Sequence, residues 1–203
     1  LSGKDLTGDN FSNAFIADVD LSNAILVGSD LSDAVLIRVK LTGADLTDAN
    51  LTGASLSGIV LTDTKLRGAD LTDANIAGVD LSGIDLTGTK LRGVDLRDVN
   101  IAGVDLSGMD LTDARLRGMD LTDKNLTGTV LVGADLTNAV LPSSYLSGND
   151  FTRTIFDRVN FVGEDLSKSD FSFASFRYAD MTNITAKNTK FVGVDFTKIK
   201  NTS

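Results

Sequence analysis

Aspartate carries most of the ionisable chemistry of this chain, and it recurs on a fixed spacing. Asp5, Asp45, Asp70, Asp80 and their counterparts stand just before a large apolar residue that is usually followed by Ser or Thr. Paired carboxylates can serve as general acid and base, and runs of them can hold calcium. Here the Asp flanks nearly every repeat, so no pair is singled out, and the nine-residue glycine-rich period of calcium-binding solenoids is missing. An Asp whose carboxylate accepts from the backbone N–H two positions on is also a standard turn residue, and that is the expected role. Composition removes other chemistries. With no His, Cys or Trp there is no imidazole base, thiol nucleophile, disulfide or usual zinc ligand set. The chain is expected to be no enzyme and to hold no cofactor or metal. Lys124 and Glu164 are the odd pair, at positions where small residues otherwise stand, with Ser144 between them in phase. They read as a buried ion pair or, the expected case, as side chains snorkelling outward at a widened corner.

What positions these residues is a period of five. From Leu1 to Phe196 every fifth residue is Leu, Ile, Phe or Met, with Ala186 the exception. That period suits neither a helix, which repeats at about 3.6 residues, nor a straight strand, which alternates at 2. One common interior face is recovered only if the chain bends once per repeat and winds as a solenoid. Calling the large residue i, position i−2 is mostly Ala or Val (Ala14, Ala44, Ala69, Val79, Val104) and i−1 mostly Asp or Asn. Position i+1 is mostly Ser or Thr, and i+2 mostly Gly, Asp or Asn, the residues that tolerate tight turns.

Segments such as Ala44-Asp45-Leu46-Thr47-Asp48 and Ala49-Asn50-Leu51-Thr52-Gly53 resemble the pentapeptide-repeat family, whose pattern is A-(D/N)-L-x-x. The resemblance covers essentially all of residues 1–203. It implies an all-β fold: a right-handed quadrilateral parallel β-helix, a single domain of about ten coils with four repeats to the coil. Stacked at about 4.8 Å, such coils would form a rod on the order of 50 Å long. A second period overlies the first, because residues 64–88 and 89–113 agree at 20 of 25 positions. Lys40, Lys65, Lys90 and Arg115 mark that unit and would spiral around the rod, as a trace of tandem duplication.

Charge is uneven. The net charge is −9, yet residues 149–203, a Phe-rich part, carry 7 acidic and 8 basic side chains. An acidic body argues against direct nucleic-acid binding. No apolar run reaches the roughly 18 residues of a membrane span. Leu1 opens the chain at the central position of a repeat, so a segment of a longer chain is expected. The cytoplasm is its default compartment, with room for a targeting segment already removed.

Apolar side chains at outward positions are the candidate contacts with a partner. Phe15, Val35 and Ile37 should share one face in neighbouring coils, and Phe173 and Tyr178 should sit at successive outward corners. The leading expectation is a non-catalytic rigid scaffold or protein-interaction module, part of a larger protein, whose ends or faces are open to self-association. Two alternatives are carried. The family resemblance implies a DNA-mimicking modulator of a type II topoisomerase such as gyrase. The other is a targeting or substrate-presenting module attached to an enzyme domain. B-DNA presents a charge about every 1.7 Å, which a net of −9 interrupted by Lys65, Arg67, Lys90 and Arg92 does not match.

Overall fold

The period of five is realised as one tight turn per repeat. The carbonyl of the large residue accepts from the N–H three positions on, as in Ala24 N to Leu21 O at 3.0 Å and Ala174 N to Phe171 O at 3.0 Å. The third turn residue has positive φ at nearly every repeat, from 52° at Arg38 to 78° at Gly148, while the second does not, which is the type II signature; Asp98, Asp123 and Ser143 are the exceptions. Where Asp or Asn precedes the large residue, it caps the turn. Asp5 Oδ1 accepts from Thr7 N at 3.1 Å and from Thr7 Oγ1 at 2.7 Å, and the same pair recurs at Asp45–Thr47 and Asp135–Thr137. The Asp-Leu-Thr motif is thus a capped turn, and the recurrent carboxylates work on the backbone.

The computed structural model describes residues 1–143 and 145–200. Parallel bridges join residues twenty apart, such as Asp5↔Ile25, Ile25↔Asp45 and Asp45↔Lys65. Each repeat contributes rungs of one type, exemplified by Leu6 N to Ile25 O at 2.8 Å, Gly8 N to Val27 O at 3.0 Å and Ile25 N to Lys4 O at 2.9 Å. Four repeats therefore bring the chain back into register. Pairing lengthens into strands at β1 (Phe15–Ala17) and β2 (Val35–Ile37), which run parallel with Phe15 opposite Val35. Among the described residues there is no helix.

The chain divides into two compact units, Leu1–Met109 and Asp110–Ser203. Inside the first, Leu26, Leu46 and Leu81 are buried beside Ala24, Ala34 and Ala44, so i and i−2 together fill the interior. Where Thr replaces Ala at i−2, its hydroxyl finds a carbonyl on the preceding coil: Thr64 donates to Leu41 O at 3.0 Å and Thr89 to Leu66 O at 2.7 Å. In the second unit the interior turns aromatic. Phe151, Phe171 and Phe191 stack at 5.0 and 5.6 Å, and Phe156, Phe176 and Phe196 at 5.3 and 5.6 Å, in two columns spaced one coil per ring. Edge contacts tie the columns together, including Phe151 to Phe156 at 5.3 Å.

The pattern breaks at Pro142. Proline has no N–H for the usual cap, and Tyr145 N donates to Pro142 O at 3.3 Å. Tyr145 stands at an i−1 position, which elsewhere faces outward, yet it is buried with its ring edge on Phe151. Its hydroxyl donates to Thr129 O at 2.5 Å, and burial pushes the phenol up to about 12. Asn149 follows, its amide bonded to the carbonyls of Tyr145 and Ser147.

Candidate functional site

Two clusters of outward-facing residues stand out, one in each unit. In the first unit, alternation along β1 and β2 sends Ile16 and Leu36 inward and their neighbours outward. Register then places Phe15 beside Val35 and Ala17 beside Ile37. Phe15 is 71% exposed and Val35 37%, while Ile37 is half-buried. Arg38 closes the edge of this patch with a two-pronged bond to Asp18, at 2.6 and 2.5 Å. That bond offsets the left-handed φ of 52° at Arg38, a conformation that costs a branched or long side chain roughly 1 kcal/mol.

In the second unit Phe173 and Tyr178 occupy successive turn corners, at φ of 62° and 61°, and are 62% and 46% exposed. Each has a built seat. Phe173 lies over Gly193, where a Cβ would come within 2.8 Å of the ring. Tyr178 is held between the residues one coil before and after it. Arg158 sits over the ring at 4.8 Å from its centroid, and Lys198 Nζ stands 5.3 Å from the centroid and 3.3 Å from the hydroxyl. Such cation–ring contacts are worth about 0.5–1 kcal/mol at exposed sites.

Between the two corners lies a carboxylate whose importance its position in the repeat did not announce. Asp157 occupies an i+1 position yet is buried, accepting from Ser175 Oγ, from Arg177 N at 3.1 Å and from Arg177 Nε at 2.8 Å. The paired carboxylate raises the affinity of the Arg177 guanidinium for its proton. The sequence signal was the replacement of Ser or Thr by Asp157 one coil below Arg177. Tyr145 was equally hidden, since nothing in the repeat marks an i−1 residue that turns inward.

The spiralling cations also acquire a role. Lys65 pairs with Asp45 and Lys90 with Asp70, each at 2.8 Å and each one coil apart, and Lys190–Asp170 and Lys200–Asp180 repeat the arrangement at 2.9 and 2.7 Å. A lysine at i−1 thus neutralises the aspartate stacked beneath it.

Lys124 and Glu164 are both half-buried. Glu164 lines a groove of about 340 Å³ with Asn138, Arg158 and Asn160, and burial raises its carboxyl above the ordinary range. Ser144, the third member of that series, lies outside the described residues. A shallow groove of about 590 Å³ runs between Ile59–Thr64 and Gly78–Asp85 in the first unit. The carboxylates beside it, Asp80 and Asp85, already cap the turns at Ser82 and Thr87. Among the described residues no three His, Cys, Asp or Glu side chains converge as a metal would require, and no helix is long and apolar enough to cross a membrane.

Solved structures similar to this chain include pentapeptide repeat proteins. The protein HetL, a pentapeptide repeat protein involved in heterocyst differentiation regulation from the cyanobacterium Nostoc sp. strain PCC 7120, is 26% identical, over 96% of this chain and 84% of that one, with a TM-score of 0.33. Full-length QnrB1, a plasmid-mediated fluoroquinolone resistance protein, is 18% identical over 99% and 90% of the two chains, with a TM-score of 0.39. Rfr23, a pentapeptide repeat protein from the cyanobacterium Cyanothece 51142, is 25% identical over 68% and 88%, with a TM-score of 0.31. At these TM-scores the superpositions carry no argument. No curated protein matches. The pentapeptide-repeat family model matches in 8 copies, over residues 16–53, 54–93, 80–118, 89–128, 125–163 and 165–200. With a tight turn recurring at a spacing of five and a register of twenty, the chain belongs to the pentapeptide-repeat family.

Proposed function

We propose that this chain is a non-catalytic rigid scaffold or protein-interaction module within a larger protein. On this reading residues 1–203 form one repeat domain, right-handed and of about ten coils, with 149–203 as its Phe-rich part. The observation that carries the proposal is the way outward apolar side chains are mounted. Phe15, Val35 and Ile37, and likewise Phe173 and Tyr178, project from coils whose turns and rungs are hydrogen-bonded throughout their neighbourhood. Side chains fixed in this way meet a partner without the ordering cost that a flexible segment incurs. Interiors packed with Leu, Ala and Phe leave the surface as the place of action, which fits the general character of pentapeptide-repeat proteins as structural or interaction modules.

The net charge of −9 keeps a second reading in play, a DNA-mimicking modulator of a type II topoisomerase. The Lys65–Asp45 and Lys90–Asp70 pairs work against it, because they neutralise the acid columns that a mimic would present. A targeting or substrate-presenting role beside an enzyme domain uses the same rigid surface and differs only in what is attached. Hydrogen exchange and a gyrase supercoiling assay separate the first two readings. The scaffold predicts slow exchange of rung amides in both units and unchanged supercoiling at tens of micromolar protein. Fast exchange would remove the rigid scaffold, and inhibition of gyrase would install the mimic. Sedimentation velocity tests self-association, end to end or face to face.

A further inference from the structure

Turn corners sort the residues of this chain by backbone strain, and one stretch defies the sorting. Through residue 138 the positive-φ corners hold Gly, Asn or Asp, apart from Arg38, which Asp18 secures. From residue 153 onward the same backbone conformation is taken by Arg153, Arg158, Lys168, Phe173, Tyr178 and Lys198. Each such residue costs roughly 1 kcal/mol relative to glycine, and strain kept in one place points to use at that place.

Charge pairing shows the same break. Lysines at i−1 are answered by the aspartate one coil before, as Lys190 is by Asp170 and Lys200 by Asp180. Among the described residues Arg153, Arg158 and Lys198 have no carboxylate within ion-pair distance. Two acids of this face, Asp157 and Asp195, are turned to Arg177 at 2.6 and 4.0 Å. The face therefore offers unneutralised cations around an open aromatic ring, Phe173, whose underside is fixed on Gly193. Behind it stand the two phenylalanine columns, which hold both corners in place.

We propose that the face bearing Arg153, Arg158, Phe173, Tyr178 and Lys198 is a docking surface for an acidic peptide segment of a partner protein. Its carboxylates would meet Arg153, Arg158 and Lys198, and one apolar side chain would lie on Phe173. Charge complementarity selects an acidic occupant. A nucleic-acid strand fits less well. The Tyr178 ring is already engaged by Arg158 and Lys198, which leaves Phe173 as the one open ring of the face where a strand of stacked bases would need several. The proposal rests on the interaction-module reading and names the chemistry of one partner surface.

The test uses fluorescence anisotropy with a labelled peptide repeating Glu-Glu-Leu, and a labelled oligo-dT strand in parallel. The peptide should bind the full chain and weaken as salt rises. Arg153→Gly, Arg158→Gly and Lys198→Gly combined should weaken it by about tenfold or more. Arg153→Gly alone should lose peptide affinity while raising the melting temperature, because it trades a contact for relief of strain, a pairing that a purely structural arginine would not show. Circular dichroism confirms that each variant is folded. No peptide binding, equal binding by the triple variant, or tighter binding of oligo-dT would overturn the proposal. So would variants that only abolish self-association in sedimentation, which would assign the face to a second copy. Slow exchange and unchanged gyrase supercoiling would stand through any of these failures, which keeps the scaffold reading distinct.

Discussion

The two units of this protein share a backbone and differ in what they hang on it. Leu1–Met109 keeps Leu and Ala inside and, Arg38 apart, fills its strained corners with the residues that tolerate them. Asp110–Ser203 replaces the interior with stacked Phe and spends strain on Arg, Lys, Phe and Tyr at the corners. The capped turn is the same in both, as Asp45–Thr47 and Asp180–Thr182 show. The difference teaches that turn chemistry is the fixed part of this architecture and that core width and corner identity are free to specialise. Broad rings inside and bulky cations outside occur together, which suits a face that must stay rigid while bearing strain.

The largest expected effect strikes the aromatic columns. Phe176 is fully buried and meets the rings of Phe156, Phe161, Phe171, Phe191 and Phe196. Phe176→Ala should cost about 3–5 kcal/mol by urea denaturation, against about 3 for Leu46→Ala in the first unit. Hydrogen exchange locates the damage. The columns specialise the second unit if its amides lose protection first in the Phe variant. Equal loss in both units would break the comparison.

Next comes the buried carboxylate between the corners. Asp157→Asn keeps the shape but turns an amide group toward the Arg177 guanidinium, donor against donor. A cost of about 2 kcal/mol is expected in the same denaturation experiment. The Ser2–Ser22 contact of the first unit, where a neutral Ser hydroxyl reaches a carbonyl at 2.9 Å, has no such charged anchor. If Asp157→Asn is neutral, the second unit's face is no more tightly tied than that.

Much of this was legible before any coordinates. The period of five, read against helix and strand periods, required one bend per repeat, and Asp or Asn before the large residue named the turn cap. Phe15, Val35 and Ile37 could be placed together by counting in twenties, and so could Phe173 and Tyr178 at successive corners. Less legible were the residues whose role depends on the coil above or below. Asp157 reads as an ordinary substitution at i+1 until Arg177 and Ser175 are seen to converge on it. Tyr145 reads as outward until its ring is seen buried with its edge on Phe151. Lys65 and Lys90 read as a spiral trace of duplication, and pairing along the stack shows each cancelling an aspartate. Sequence periodicity fixes where a side chain starts. What it reaches depends on long, flexible groups choosing among neighbours twenty residues away.

Exchanging corners is the smaller test of the comparison. Gly58 has φ of +68° and open space, with nothing within 4 Å, where a Cβ would stand, so Gly58→Arg meets backbone strain and no clash. It should lose about 1 kcal/mol, and Arg153→Gly should gain a similar amount. Opposite signs of change in melting temperature would show that the same corner strain acts in both units and that the second unit carries it at Arg153. Two losses would mean that Arg153 makes contacts that outweigh its strain, and two gains that corner strain at Gly58 is negligible.

Acid probes the smallest difference, the one between carboxylates with and without a lysine stacked on them. Hydrogen bonds from Ser172 and Lys190 push Asp170 down to about 2, and those from Lys200 and Thr182 do the same to Asp180. In the first unit Asp5 is lowered by Thr7 alone. A carboxyl depressed in the folded state takes its proton earlier in the unfolded chain, near pH 3.9. Its contribution to stability is therefore complete above about pH 4 and is lost as pH falls through the folded value. The pairs are largely exposed and screened by solvent, so each contributes little. Carbon-detected NMR titration should find midpoints of about 2 for Asp170 and Asp180. Lys190→Met should raise the first and leave the second in place. Should Asp170 keep its midpoint in that variant, the stacked lysine adds nothing to the turn cap, and the lysines stacked in both units, Lys65 and Lys90 included, would leave core and corner alone to tell the two apart.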